Sequence, residues 1–116
     1  MSHFIGVDVG SVSTNIVVTD ESDAPVYPPI YLRTAGHPIR AVQEGFRQLA
    51  AQLDGGLEVR GVGATGSGRR LTGIMVGADV VKNEITSHAA AARRVEPTVR
   101  TVMEIGGQDS KVIFLE

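Results

Sequence analysis

Cysteine is absent from this chain of 116 residues. Without a thiol the chain can form no disulfide, and on its own it can build neither an iron–sulfur cluster nor a thiolate zinc site. A basic excess is missing too, because 11 Lys and Arg residues stand against 13 Asp and Glu residues, for a formal net charge of -2. This balance disfavours a nucleic-acid-binding surface.

Long apolar runs are also missing. No stretch approaches the roughly 20 apolar residues of a membrane-spanning helix, and the N-terminus lacks the basic and apolar regions of a secretory signal. We therefore expect a cytoplasmic protein that does not use a membrane. The chain has the length of one domain, and a hydrophobic content of 42% is enough for a globular core.

The hydrophobic pattern predicts an α/β protein. Apolar residues at helical spacing after Pro38 predict a helix that ends at about residue 53, and Asp79 is the predicted N-cap of a second helix that stops before Pro97. No helix is predicted over residues 64–77, since Gly73 and Gly77 make the backbone too flexible for one. The predicted strands cover residues 4–9, 15–19, 26–33, 57–63, 99–105 and 111–116.

The order of these elements predicts a sheet that starts with an antiparallel hairpin and continues through crossover helices. Pro28 and Pro29 place the third strand at an edge, because proline cannot donate a ladder hydrogen bond. No linker divides the chain. The final apolar strand stops without a following turn, so we expect a piece of a longer protein.

One carboxylate, Asp8, stands inside the apolar run VDVGSVSTNIVVTD. Leaving an ionised carboxylate unpaired among apolar groups is costly, so a metal, a phosphate-bound cation or backbone donors are expected beside it. The turn that follows is rich in glycine and hydroxyl side chains, which suit a phosphate as well as an ordinary tight turn.

The opening segment, residues 8–20, aligns without a gap with residues 104–116, EIGGQDSKVIFLE. Both segments place an acid before a glycine turn and apolar residues after it. The repeat predicts two strand–turn–strand units, which could grip a triphosphate with Mg²⁺ from two sides. The aligned pairs are Asp8 with Glu104, Gly10 with Gly106, and Thr14 with Ser110.

Five motifs resemble known families. DVGSVST and EIGGQDS resemble the two phosphate motifs of the superfamily that includes sugar and acetate kinases, actin and the heat-shock chaperone ATPases. GVGATGSGR, NEITSHAAAA and RTVMEIGGQDSKVI resemble, more specifically, the ATPase activators (activases) of 2-hydroxyacyl-CoA dehydratases and benzoyl-CoA reductases. The resemblance covers nearly the whole chain and implies a ribonuclease H-like, actin-like ATPase fold. It implies a first lobe over residues 1–98 and the truncated start of a second lobe, with the second phosphate hairpin, over 99–116.

The resemblance also implies a function. In that family a homodimer carries one [4Fe–4S] cluster at its interface and couples ATP hydrolysis to delivery of an electron to a partner dehydratase or reductase. We therefore expect the N-terminal ATP-binding portion of such an activase, with ATP or ADP and Mg²⁺ as ligands. The cluster cysteines of the family follow the second phosphate motif, so this chain supplies no cluster ligand.

Site residues carried over by the resemblance fall on the two turns. Gln108 or Asp109 would orient the attacking water, and Asp8, Glu104 and Asp109 would hold Mg²⁺. Two departures are Glu104, where Asp is commoner, and Asn15, where many activases have lysine. The implied phosphate contacts are Asp8, Gly10, Ser11, Ser13 and Thr14 from the first turn, and Gly106, Gly107, Gln108 and Asp109 from the second.

Other interpretations remain open at this level. The chain could be a non-catalytic, nucleotide-gated docking module of a large activase-like protein. GVGATG at 61–66 also fits the glycine fingerprint of a dinucleotide-binding domain. Glu84 and His88 are one helical turn apart and could form half a metal site, although no third ligand is visible. Arg69 and Arg70 could contact phosphate or a protein partner.

Overall fold

A computed structural model describes residues 2–53, 56–105 and 110–115. Strands β1 and β2 form an antiparallel hairpin, β3 is antiparallel to β2, and β4 and β5 continue the sheet in parallel on the other side of β1. The sheet order is β3-β2-β1-β4-β5, so the predicted mixed sheet and edge position of β3 are confirmed. The strands are β1 His3–Val9, β2 Ser13–Thr19, β3 Ile30–Arg33, β4 Val59–Thr65 and β5 Val80–Val81.

Helix α1, Pro38–Gln52, confirms the first predicted helix and forms the core with the sheet. Its apolar stripe includes the buried residues Val42 and Leu49. Gly45 allows the helix to approach β2 closely, because a Cβ at this position would lie 2.6 Å from Ile16 Cδ1. Helix burial of this kind, rather than propensity alone, stabilises short helices in proteins.

Helix α2, Arg69–Val76, lies where no helix was predicted, so that prediction was wrong. Gly73 is buried, and a Cβ there would lie 2.9 Å from a methyl group of Val81. The absence of a side chain at this position therefore permits close packing of the helix on β5. Gly77 has φ 63 and is the helix C-cap. Tertiary packing at Gly73 thus overrides a weak propensity, and Gly77 ends the helix.

Helix α3, Glu84–Val95, begins later than predicted. Asn83 is its N-cap, with Oδ1 accepting a hydrogen bond from the Thr86 amide at 2.8 Å. The predicted cap, Asp79, instead stands before β5 and accepts a 2.8 Å hydrogen bond from the Val62 amide through Oδ2. Asp79 therefore fixes the β4–β5 connection, and its assignment as a helix N-cap was wrong.

The two faces of the sheet differ because strand side chains alternate. Val7 and Val9 of β1 and Ile16 and Val18 of β2 are buried in the core cluster that includes Val42 and Leu49 of α1. Alternation places the intervening residues, Asp8 among them, on the opposite face. We call this the open face of the sheet.

The predicted second hairpin is also present. Strands β6, Thr101–Ile105, and β7, Ser110–Phe114, are antiparallel and form a two-stranded sheet of their own. In this register Glu104 pairs with Lys111. Its turn, residues 106–109, lies outside the described residues, and the lobe boundary at residue 98 stays a prediction.

Over residues 2–53, 56–105 and 110–115, no helix is long and apolar enough to cross a membrane.

Candidate functional site

Asp8 lies at the centre of a polar row that crosses three strands. It pairs with Asn15 of β2 on one side and with Thr65 of β4 on the other. Paired residues of neighbouring strands share a face, so these three side chains belong to the open face. The carboxylate predicted to be functional is therefore half-buried in a polar setting, at the carboxyl end of β1.

A cavity of about 390 Å³ covers this polar row. Its lining includes two positions without side chains, Gly6 and Gly63, together with Lys82, in the segment between β5 and α3, and Ser87 of α3. Ser87 donates a 3.1 Å hydrogen bond to Thr65 Oγ1, which ties α3 to the end of β4. The polar residues that line the cavity are Asp8, Asn15, Thr65, Lys82 and Ser87.

The turn between β1 and β2, residues 10–12, is held by Thr34. The amide of Thr34 donates to the Val12 carbonyl at 2.8 Å, and its hydroxyl donates to the Gly10 carbonyl at 2.8 Å. The Thr34 hydroxyl oxygen also lies 2.9 Å from Thr14 Oγ1. Because the single Thr34 hydroxyl hydrogen goes to Gly10, Thr14 is the donor in that pair. Sequence reasoning missed Thr34, which follows β3 and belongs to no motif.

Thr14 does not lie with the other predicted phosphate ligands. Its side chain is fully buried, at 0% exposure, and alternation puts it on the core face, away from Asp8. Ser13 and Asn15 lie on the open face, with the Asn15 amide nitrogen 3.4 Å from Ser13 Oγ. The structure thus brings Asp8, Ser13 and Asn15 to one face, and a direct phosphate contact by Thr14 stays a prediction.

A second glycine loop closes on the end of β1. The amide of Gly68 donates to the Val9 carbonyl at 2.8 Å. Gly66 has φ 94, and a Cβ there would lie 2.5 Å from Asp8 Oδ1 and would clash with the Val9 carbonyl oxygen. Arg69 donates to the Gly66 carbonyl at 3.2 Å. Only glycine fits at position 66, because both the space and the left-handed backbone exclude a side chain.

The dinucleotide interpretation of GVGATG is not supported. Gly61 and Gly63 lie inside β4, whereas the fingerprint requires glycines in a loop between strand and helix. Gly61 instead makes room for the Phe4 ring, since a Cβ there would lie 3.0 Å from Phe4 Cδ1. The glycine pattern of β4 therefore reflects contacts within the sheet.

The remaining predicted site residues are placed as follows. Glu84 and His88 both lie on α3, but no cluster of three or more potential metal-binding acids, histidines or cysteines occurs among the described residues. The side chain of Glu104 is not among those described. The predicted second-turn residues Gly106, Gly107, Gln108 and Asp109 lie outside the described residues.

Comparison with known proteins adds to this geometry. The model of the BadF/BadG/BcrA/BcrD ATPase family matches residues 5–116. The (R)-2-hydroxyglutaryl-CoA dehydratase activating ATPase of Acidaminococcus fermentans is 32% identical over 115 residues, which are 97% of this chain and 42% of that protein. The activator of lactoyl-CoA dehydratase of Anaerotignum propionicum is 32% identical over 114 residues, again 97% and 42%. The chain thus spans about two-fifths of these relatives.

A solved structure with a nucleotide is also similar. The activator of the 2-hydroxyisocaproyl-CoA dehydratase from Clostridium difficile, with bound ADPNP, superposes with a TM-score of 0.76 at 26% identity. The match covers 98% of this chain and 41% of that one. The actin-like ATPase fold predicted from the sequence is therefore confirmed.

Proposed function

Because the chain belongs to the BadF/BadG/BcrA/BcrD ATPase family, we propose that it is the ATP-binding part of an activase that serves a 2-hydroxyacyl-CoA dehydratase or a benzoyl-CoA reductase. The observation that carries this proposal is the position of Asp8, between the turn at residues 10–12 and the glycine loop at 66–68. A carboxylate beside two such loops suits a hydrated Mg²⁺ bound to phosphates.

The chemistry expected of this site is positioning and charge stabilisation, which dominate phosphoryl transfer. Asp8 would hold Mg²⁺ through its water ligands. Gly10, Ser11 and Ser13 would donate hydrogen bonds to the β- and γ-phosphates. Thr34 would keep the turn in place from the core side through its bond to the Gly10 carbonyl.

The second turn would complete the site from the opposite side. In this proposal Gly106 and Gly107 contact phosphate, Gln108 or Asp109 orients the attacking water, and Glu104 and Asp109 help to hold Mg²⁺. Their support is the repeat of acid and glycine that relates residues 104–116 to 8–20, together with the β6–β7 hairpin.

Electron transfer to the partner enzyme belongs to the proposal for the whole protein, as does a homodimer. The chain contains no cysteine, so its residues do not fit an iron–sulfur cluster, and no electron-transfer step is assigned to them. This chain would contribute the nucleotide site, and hydrolysis of the ATP bound there would drive the electron transfer.

Titration of the ¹⁵N-labelled chain with ATP and Mg²⁺ tests the nucleotide site. We expect amide shifts centred on Gly10, Ser11 and Thr65, and an affinity that falls about tenfold in Asp8→Asn through loss of a charge-assisted contact. Asp23→Asn, an exposed residue in the loop after β2, is the matched control and should bind like the wild type.

The same titration tests the dinucleotide alternative. NAD should give no comparable shifts, whereas a dinucleotide-binding domain would respond to it around residues 61–66. A nucleotide-gated docking module would also bind ATP, so hydrolysis separates it: the whole protein would bind ATP with Mg²⁺ and release no phosphate. A response to NAD in the chain, or ATP binding without phosphate release in the whole protein, would contradict the proposed function.

A further inference from the structure

Among the described residues, Lys82 is the one basic side chain that lines the cavity on the open face. Asn15, a neutral residue paired with Asp8, lines the same cavity. A triphosphate that carries one Mg²⁺ keeps a net negative charge, and Asp8 adds another. A cation in the same cavity would offset this repulsion.

The backbone of Lys82 is fixed at the end of the sheet. Its amide donates to the Ala64 carbonyl at 3.0 Å, one residue beyond the pairing of Ala64 with Val81. Asn83 follows immediately and caps α3. Lys82 is therefore held between two regular elements, at the same end of the sheet as Thr65.

The Lys82 side chain is exposed. Within the described parts of the chain its ammonium group makes no hydrogen bond or ion pair. Arg69, the first residue of α2, differs from Lys82, since its guanidinium group already donates a hydrogen bond to the Gly66 carbonyl. An unpaired ammonium group on a cavity wall is free to bind an incoming anion as a point charge.

We propose that Lys82 is a phosphate-binding residue of this site and supplies the positive charge that Asn15 does not. The inference rests on the proposed function and deepens it, because it assigns the contact to the polyphosphate and not to the nucleoside. The long, flexible stem of lysine lets the ammonium group follow the phosphate while the backbone stays in place.

The test is the affinity of the chain for ATP with Mg²⁺ and, separately, for inorganic tripolyphosphate with Mg²⁺, read from amide shifts. Lys82→Met keeps most of the stem and removes the charge, so both dissociation constants should rise about tenfold. Lys82→Arg should restore most of the affinity. Arg47→Met removes an exposed cation on α1, paired with Glu44, and should change neither constant.

Each outcome decides the proposal. If Lys82→Met binds both ligands as the wild type does while Asp8→Asn weakens them, Lys82 has no such role and the proposed function stands. If Lys82→Met weakens ATP but not tripolyphosphate, the contact is with the nucleoside and the inference is wrong. If the wild type binds neither ligand, the proposed function fails, and this inference fails with it.

Discussion

Thr14 and Thr34 join the proposed phosphate turn to the core through a hydrogen bond of 2.9 Å between their hydroxyl oxygens. Both side chains are buried, and the Thr34 hydroxyl continues to the Gly10 carbonyl at 2.8 Å. The turn at residues 10–12 is thus fixed by polar contacts from the core side of the sheet. Thr34, which is not among the proposed nucleotide contacts, should therefore influence nucleotide binding through the turn.

Replacing Thr34 tests this link. Thr34→Val removes the hydroxyl and leaves the Gly10 carbonyl and the Thr14 hydroxyl without their partner, at a cost of about 2 kcal/mol in the free energy of unfolding. Thr34→Ser keeps the hydroxyl and should remain close to the wild type. Urea denaturation of the three proteins gives the comparison. Equal stability of the valine and wild-type proteins would show that the turn does not depend on this contact.

Replacing Gly66 tests the close approach of the glycine loop to Asp8, with Gly77 as the matched control position. Gly66→Ala forces a Cβ against Asp8 Oδ1 and the Val9 carbonyl at φ 94, so we expect a loss of stability of about 2 kcal/mol or more. Gly77→Ala has a similar positive φ but open space around the new Cβ, so it should cost only about 1 kcal/mol.

The comparison of the two glycine variants separates backbone strain from crowding at Asp8. Thermal or urea denaturation measures stability, and a titration with ATP and Mg²⁺ measures the site in whatever fraction of Gly66→Ala stays folded. If Gly66→Ala loses no more stability than Gly77→Ala, the close approach of the glycine loop to Asp8 is not required by the fold.

The ATPase activity of the 116-residue chain itself should be very low or absent. The proposed site needs two opposed lobes, and the chain spans about two-fifths of the relatives it matches. A coupled phosphate-release assay on the purified chain, with Asp8→Asn as the background control, measures this. Appreciable turnover that depends on Asp8 would contradict the two-lobe requirement.

Asp20, at the end of the hairpin remote from the site, gives a prediction for pH. A hydrogen bond from the Ser22 hydroxyl, followed by those from the Ala24 and Ser22 amides, lowers the pKa of the Asp20 carboxyl below its ordinary value. A depressed folded-state pKa adds stability above the unfolded pKa, and that stability is lost as pH falls through the folded pKa.

NMR titration of the Asp20 carboxyl measures this directly. In Ser22→Ala the largest cause of the shift is gone, so the pKa of Asp20 should rise towards its ordinary value. An Asp20 that titrates at the ordinary value in the wild type would show that the turn does not hold the carboxylate in this geometry.

The parts of the fold that were predicted correctly depend on local periodicity. The β1–β2 hairpin and α1 have regular apolar spacing, and each buries the face that the spacing indicates. Helix α2 was missed because its stability depends on Gly73 packing against Val81, a contact that helix propensity does not contain. The start of α3 was misplaced because Asp79 and Asn83 are both good N-caps in sequence.

For the site, too, features with a local sequence signal could be predicted and features that depend on tertiary contacts could not. Asp8 is evident from the sequence because a carboxylate in an apolar strand needs an explanation. Thr34 and Lys82 carry no such signal, since they reach the site only through the fold. Thr34 contacts a carbonyl 24 residues away, and Lys82 arrives through the pairing of β5 with β4. Thr14 shares a motif with Asp8 but faces the core, because the side chains of successive residues along a strand point to opposite faces of the sheet.

The most direct test uses Mn²⁺ in place of Mg²⁺, because its unpaired electrons broaden the amide signals nearest to the bound ion. With ATP present, we expect the strongest broadening at residues 8–13 and at Thr65 and Gly66, and its loss in Asp8→Asn. Broadening centred on another part of the chain, or broadening at these residues that survives Asp8→Asn, would contradict a metal–triphosphate site at the end of β1.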